Sequence, residues 1–401
     1  MHRVVVTGLG PVSGIGIGVD EFTAGLRSGR SAAAPITSFD ASGFPHHWAG
    51  EVPAFRPEAL LRRLRIADWG RSALFAAAAA RLAVTDAGLP LPALDPGRVG
   101  AVVGTTSGES TVVEQLTAEL VEGGYPAMSV EALRQAPAER LSYAVSAELG
   151  LAGESVTLTT ACSASNYAIG YAYDLLCCDE ADVMVAGGAD SVCRWAHAGF
   201  FRLGALTERA CRPFDRDRSG ILTGEGGAAL VLETLDHARA RGARIYAEVL
   251  GYGVNCDAHH MVAPNEESVA ACMRLAQDNA GVKPEDVDYI STHGTGTPAN
   301  DLCEARAIRA VFGDRVPPVS SIKSMLGHTM GAASGFGAIA TTLGIRHGFL
   351  PPTINWVNPD PELSWIDPVP NTARSATVRV AQNNGFAFGG NNAITIFGAI
   401  R

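Results

Sequence analysis

The chain lacks any long apolar run. Its longest alanine-rich stretch, Ala73 to Ala80, is cut by Arg81 and falls far short of the ~20 residues that a membrane span needs. The first residues offer neither a long apolar segment nor a small-residue cleavage site, so export is not expected. The cysteines at 162, 177, 178, 193, 211, 256, 272 and 303 have no CxxC spacing, which argues against a zinc site or a disulfide framework and for a reducing, cytoplasmic compartment. Excess positive charge is missing as well. A net charge of −10 speaks against general binding of nucleic acid or of an anionic membrane, and an acidic partner would need a local basic patch.

What is there is the composition of a well-buried α/β protein: 47% hydrophobic and 18% charged residues over 401 positions, enough for a substantial core. Residues 2 to 8 read as a buried strand closed by Gly8 and Gly10, and residues 31 to 60 as an irregular excursion without periodicity. A helix is predicted from about Trp69 to Gly88, with Gly88 and Pro90 as its stop signal. Further buried strands are expected over Arg98 to Gly104, over Ala181 to Gly188 (ended by its paired glycines) and over Ala228 to Glu233. From residue 243 the pattern starts over. Arg244 to Gly253 echoes Arg3 to Gly10, Asp286 to Thr295 echoes Arg98 to Thr105, Val316 to Ile322 with the small-residue segment behind it echoes Val156 to Gly170, and Gln382 to Phe397 echoes Val183 to Ser191. Four matches in one order predict two related α/β halves, 1–240 and 241–401, whose loops meet at equivalent sheet ends.

The stretch Val156 to Gly170 carries a lone cysteine, Cys162, where a β-branched run meets a helical pattern. Backbone N–H groups and the positive helix end converge there, which favours thiolate over thiol and offers donors to an oxygen beside the sulfur. A buried structural cysteine is the competing reading. Four other clusters could carry chemistry. His293-Gly-Thr-Gly-Thr-Pro298 follows a buried strand, where a histidine is placed to meet a ligand or is a satisfied structural residue. Ser321 to His328 sets Lys323 and His328 in apolar surroundings, where a lysine needs an anionic partner unless both are surface residues. Asn383 to Asn392 suits either a ligand-facing turn or a plain strand end. Asp301-Leu-Cys-Glu304 has capping-box spacing, and Glu304 could also be the counter-ion of Lys323.

On these residues, together with Val4 to Gly10, Arg212-Pro-Phe-Asp215, Gly224-Glu-Gly226, Asp257 to Met261 and Pro351 to Asn355, the whole chain resembles the β-ketoacyl-acyl-carrier-protein synthases, and most closely the synthase II branch with the type II polyketide ketosynthases. The resemblance implies a thiolase fold, two pseudo-symmetric halves in five layers α-β-α-β-α. It implies decarboxylative Claisen condensation: Cys162 takes up the acyl group, the N–H groups of Cys162 and Phe388 form the oxyanion hole, and His293 and His328 hold the enolate oxygen of malonyl-acyl carrier protein. Lys323, paired with Glu304, would set the electrostatics. Thr295 and Thr297 would contact the phosphopantetheine arm, and Phe388, with Phe386 beside it, would gate the acyl pocket. No cofactor is implied beyond the 4′-phosphopantetheine that carries the substrates. The implied partners are an acyl carrier protein and a second subunit, in a homodimer or in a heterodimer with a chain-length-factor homologue.

A non-catalytic chain-length partner of the same fold would typically lack Cys162, and a thiolase would carry a second cysteine where His328 stands. The chain departs from the family at Ala387 and Asn391, where Gly and Thr are usual, so a stiffer gating turn is expected. Ser107 stands where fatty-acid synthases often carry a bulky apolar residue, so the acyl pocket is expected to be deeper or completed by a neighbouring subunit. Arg62, Arg63, Arg65 and Arg71 form the most basic stretch, read either as carrier docking or as a solvated helix face.

Overall fold

Two runs of strands, each interrupted by three helices in the same order, make up the fold. The computed structural model describes residues 2–400. The first run is β1 (Val4–Ser13), α1 (Arg71–Asp86), β2 (Val99–Gly104), α2 (Arg140–Leu149), β3 (Ser155–Leu158), α3 (Ala164–Cys177), β4 (Val183–Asp190) and β5 (Gly226–Thr234). The second is β6 (Ala247–Cys256), α4 (Glu266–Ala280), β7 (Tyr289–Ser291), α5 (Pro298–Phe312), β8 (Val319–Ser320), α6 (Ala333–His347), β9 (Val380–Gly385) and β10 (Asn391–Gly398). Hydrogen bonding joins the strands in the order β8-β7-β9-β10-β6-β1-β5-β4-β2-β3. Outward from the central antiparallel pair β1/β6 the two halves are the same list with five added to each number.

The helices complete the five layers of a thiolase fold. α1 covers β1, β4 and β5 with α2 beside it, α4 covers β6 and β10 with α5 beside it, and α3 and α6 touch each other and strands of both halves. Strands covered on both faces read as largely apolar runs, and β1, β4 and β5 are buried along their whole length; β9 is equally buried but carries Gln382, Asn383 and Asn384. Among the described residues no helix is long and apolar enough to cross a membrane.

The glycines that were expected to end strands lie inside them. β1 runs on past a bulge between Val6 and Gly8 to Ser13. A Cβ on Gly8 would stand 2.1 Å from the Ala83 carbonyl oxygen, and one on Gly10 would stand 1.9 Å from that of Ala79. These glycines let α1 sit against the strand, which its fully buried alanines also allow. β6 repeats the device, with a bulge between Val249 and Gly251 and a virtual Cβ of Gly253 2.5 Å from the Ala276 nitrogen. Gly187 and Gly188 are likewise interior to β4.

The region 31 to 60 is more ordered than its composition suggested. Strands Ala33–Pro35 and Trp48–Gly50 pair with each other, and Trp48–Gly50 pairs with Thr223–Gly224. A Cβ on Gly50 would stand 1.9 Å from the Leu326 carbonyl oxygen. The excursion therefore backs the segment that carries Lys323 and His328.

Candidate active site

The leads into α3 and α6 bring the halves together. A single turn, Ala161–Ser163, precedes α3, and the turn Met330–Ala332 precedes α6. Ala161 and Met330 both take φ 52°, a left-handed conformation that costs a residue with a Cβ roughly 1 kcal/mol or more. Cys162 and Gly331 thus occupy equivalent places, a thiol on one side and bare backbone on the other.

Cys162 is 5% exposed. The backbone N–H groups of Cys162 and Phe388 both face its sulfur. Burial nevertheless pushes the thiol up to about 12, against these donors and the nearby Lys323 charge. This runs against the expectation of a thiolate: loss of solvation outweighs the two N–H donors and the Lys323 charge, and favours the thiol.

His293 and His328 lie in the same cavity, with ring centroids 5.5 Å apart at 81°. The Met330 N–H donates to His328 Nδ1 (3.1 Å), which leaves the imidazole proton on Nε2. The His293 ring also meets Phe386, centroid to centroid 5.6 Å. Burial, then the Lys323 charge, hold both imidazoles well below their ordinary range. They are neutral at physiological pH and can donate without carrying charge.

Lys323 and Glu304 form no direct ion pair, which corrects the expected pairing. The ammonium of Lys323 donates to the His293 carbonyl oxygen (2.6 Å). The carboxylate of Glu304 accepts the N–H groups of His293 and Gly294, each at 2.8 Å, and the Asn384 side-chain amide at 2.9 Å. The two charges clamp the His293 peptide from opposite sides. Burial lowers the Lys323 ammonium, against the charge of Glu304, and pushes Glu304 up to about 7. The capping-box reading of Asp301 is corrected too. α5 starts at Pro298 with Thr297 as its cap, because the Thr297 hydroxyl accepts from the Asn300 N–H (3.3 Å) while Asp301 accepts the Phe214 N–H (2.9 Å).

The cavity has a volume of about 260 Å³, and Cys162, both histidines, Thr295, Thr297, Phe386 and Phe388 all line it. The Thr295 and Thr297 hydroxyls are hydrogen-bonded at 2.9 Å. Phe388 packs on Phe200, ring centroids 5.8 Å apart, a contact that the sequence did not signal. The turn after Phe388 is tied down from outside: the Gly389 N–H donates to the Met261 carbonyl oxygen (2.8 Å), and the Asp257 N–H donates to that of Gly390 (2.9 Å). Asn391 offers its backbone carbonyl to the Ser163 hydroxyl (2.9 Å), so the departure at its side chain leaves this link to the Cys162 turn intact.

Ser107 does not line this cavity, contrary to expectation. It lies with Thr106, Val113, Val121 and Trp195 in a separate apolar groove of about 760 Å³, and its N–H is bonded to Asp190. None of the four arginines lines the cavity either. Arg71 is structural: its guanidinium pairs with the fully buried carboxylate of Glu225 (3.0 Å) and lies over the Phe75 ring. Arg62 and Arg63 are exposed, their backbone N–H groups donating to Glu148, and Arg65 is exposed beside Asp68.

Sequence reasoning missed Asp190, a fully buried carboxylate at the end of β4. Its one signal was an acid closing an otherwise apolar strand.

Residues 1–238 match the family model for the N-terminal domain of beta-ketoacyl synthase, and residues 246–357 match that for its C-terminal domain. The chain is 39% identical to 3-oxoacyl-[acyl-carrier-protein] synthase 2 of Synechocystis sp., over 98% of this chain and 97% of that one. Among solved structures it is similar to the ishigamide ketosynthase/chain length factor (52% identity, TM-score 0.97, all of both chains). It is also similar to a type II polyketide ketosynthase bound to the hexaketide and in complex with its acyl-carrier protein (30% identity, TM-score 0.92, all of both chains).

Proposed function

We propose, for a chain that belongs to the β-ketoacyl synthase family, that Cys162, His293 and His328 carry out a decarboxylative condensation within the cavity they share. The chain is an acyltransferase of the β-ketoacyl-acyl-carrier-protein synthase class. The observation that carries the assignment of residues is the convergence of one thiol, two inward N–H donors and two neutral imidazoles on one cavity.

In the first step Cys162 sulfur attacks the acyl thioester, and its proton leaves with the carrier thiol. The tetrahedral oxyanion sits between the N–H groups of Cys162 and Phe388, where each donor is worth ~10²–10³ in rate. In the second step the C–C bond to the malonyl carboxylate breaks and carbon dioxide departs. The electron pair forms an enolate whose oxygen is held by the Nε2–H of His328 and by His293. The enolate carbon then attacks the acyl carbonyl, the Cys162 sulfur leaves, and one proton taken up from solvent restores the thiol. Lys323 and Glu304 fix the peptide of His293. Thr295 and Thr297 border the approach of the phosphopantetheine arm, with Phe388 as its gate and Phe386 behind it.

Halves 1–240 and 241–401 act as two domains, the first supplying the thiol and the second the histidines and the gate. Exposed Arg62, Arg63 and Arg65 are offered to an acidic carrier protein. The groove beside Ser107, with exposed Trp195 and Val121, suits a second subunit of the same fold, and the 52% likeness to a ketosynthase/chain length factor favours a chain-length-factor-like partner. The unpaired thiols suit a reducing cytoplasm. A thiolase reading is disfavoured because the nearby Cys211 donates its thiol to the Thr295 carbonyl oxygen (3.1 Å) and does not line the cavity.

Intact mass after incubation with an acyl carrier tests the reading. An acyl adduct lost in Cys162→Ala, and discharged by malonyl carrier with release of carbon dioxide, is the expected result. A wild-type protein that forms no adduct would overturn it.

A further inference from the structure

The mechanism leaves one fully buried carboxylate beside the site unused. Asp190 accepts four hydrogen bonds: Oδ2 from the N–H of Thr106 (2.7 Å) and the N–H of Gly331 (2.7 Å), Oδ1 from the hydroxyl of Thr105 (2.7 Å) and the N–H of Ser107 (3.2 Å). Three donors come from the loop after β2, in the first half. The fourth comes from the turn before α6, in the second. No cation pairs with Asp190 among the described residues.

Gly331 follows Met330, the strained residue whose N–H holds His328 Nδ1. A Cβ on Gly331 would stand 2.5 Å from Thr105 Cα and 2.7 Å from Asp190 Oδ2, so the turn presses directly against the carboxylate. Asp190 thus grips the peptide next to the one that sets the tautomer and orientation of His328. Its charge also reaches Cys162 and pushes that thiol up.

We propose that Asp190 is a positioning residue for the decarboxylation step, holding the Met330–Gly331 turn so that His328 presents its Nε2–H to the enolate oxygen. The proposal rests on the reading of His328 given above. It separates the two half-reactions, because taking up the acyl group needs the N–H groups of Cys162 and Phe388 but not His328.

Asp190→Asn keeps the shape and turns one acceptor into a donor that faces N–H groups. Loss of one hydrogen bond to a charged group corresponds to roughly 10- to 100-fold, so decarboxylation of malonyl carrier should fall by about that factor. Acylation of Cys162, read by intact mass over time, should not fall below the wild-type rate. Trapping of Cys162 by iodoacetamide at pH 8 should become faster, since a neighbouring negative charge is gone while Lys323 remains. A merely structural role would slow all three together. Thr105→Val removes one donor to Asp190 without changing shape and should give the same split, smaller in size. The proposal is overturned if both half-reactions fall in parallel, or if folded Asp190→Asn or Thr105→Val leaves their ratio unchanged. A wild type unable to acylate or to decarboxylate would fail the underlying reading instead.

Discussion

Lys323→Met tests the electrostatics of the site most directly. Methionine keeps much of the volume and removes the charge. Lys323 is 6% exposed, and its ammonium lies 2.6 Å from the His293 carbonyl oxygen. Its charge acts on Cys162, His293 and His328, and lowers the proton affinity of each. For charges ~7 Å apart in an effective dielectric of ~20 the interaction is about 2 kcal/mol, or roughly 1.5 pH units. Without the cation the thiolate loses that stabilisation and the Cys162 pKa rises further. The imidazolium forms lose a repulsion of the same size, so both histidine pKa values rise toward 6.5. Iodoacetamide trapping of Cys162 at pH 8 should therefore fall about thirtyfold. In parallel, ¹⁵N spectra of labelled histidine should show His293 and His328 neutral at pH 6 in the wild type and titrating closer to 6.5 in the variant. Trapping at the wild-type rate, with imidazole signals unmoved, would mean that Lys323 carries no charge in the folded protein, and the electrostatic account would fall.

Glu304→Ala leaves two backbone N–H groups and the Asn384 amide without an acceptor, at ~1–3 kcal/mol each; a loss of roughly 3–6 kcal/mol by chemical denaturation is expected, and a variant as stable as wild type would refute the clamp. Arg71→Ala should cost about 2 kcal/mol, since it strands the buried Glu225 carboxylate while a third of the arginine was already in solvent, and should leave KM for carrier-borne substrate unchanged. Arg62→Glu with Arg65→Glu should do the reverse, raising that KM while sparing small thioester analogues; equal effects on both substrates would end the docking assignment. Ser107→Phe should leave the rate of Cys162 acylation by short acyl groups unchanged, because the residue faces the groove of about 760 Å³ and not the cavity; a large drop would return Ser107 to the pocket.

What could be read from the sequence was whatever recurs. The echo of Arg3 to Gly10 in Arg244 to Gly253 located the central strand pair β1/β6, and the small-residue helix behind each lead located α3 and α6. Gly8 and Gly10 read as turns because local pattern shows missing side chains but not the helix that fills their place. The excursion 31–60 was illegible for a similar reason. Its strands pair with Thr223–Gly224 and pack against the Leu326 carbonyl, some 170 and 280 residues downstream. The structure runs against the thiolate expectation because N–H donors at a helix lead are visible in a sequence and the burial that outweighs them is not.

The same distinction explains why the candidate site is asymmetric in a symmetric frame. Each half brings a strained residue at φ 52° to its helix, Ala161 or Met330, and each brings a loop from the strand three places out from the central pair. In the first half the turn carries the thiol, and the loop Thr105–Ser107 carries only hydrogen-bond donors. In the second half the turn carries bare backbone at Gly331, and the loop after β7 carries His293. Neither half holds both nucleophile and imidazole, so the chemistry requires that the halves be held in register across α3 and α6. Several side chains cross this seam, Ser165 to the Gly331 carbonyl and Asn166 to Asn383 among them, and Asp190 is a carboxylate that does so, with three donors from one half and one from the other. A carboxylate is well suited to the task, since it accepts four bonds at once, three of them from backbone N–H groups that can only donate, and no neutral side chain of its size does so.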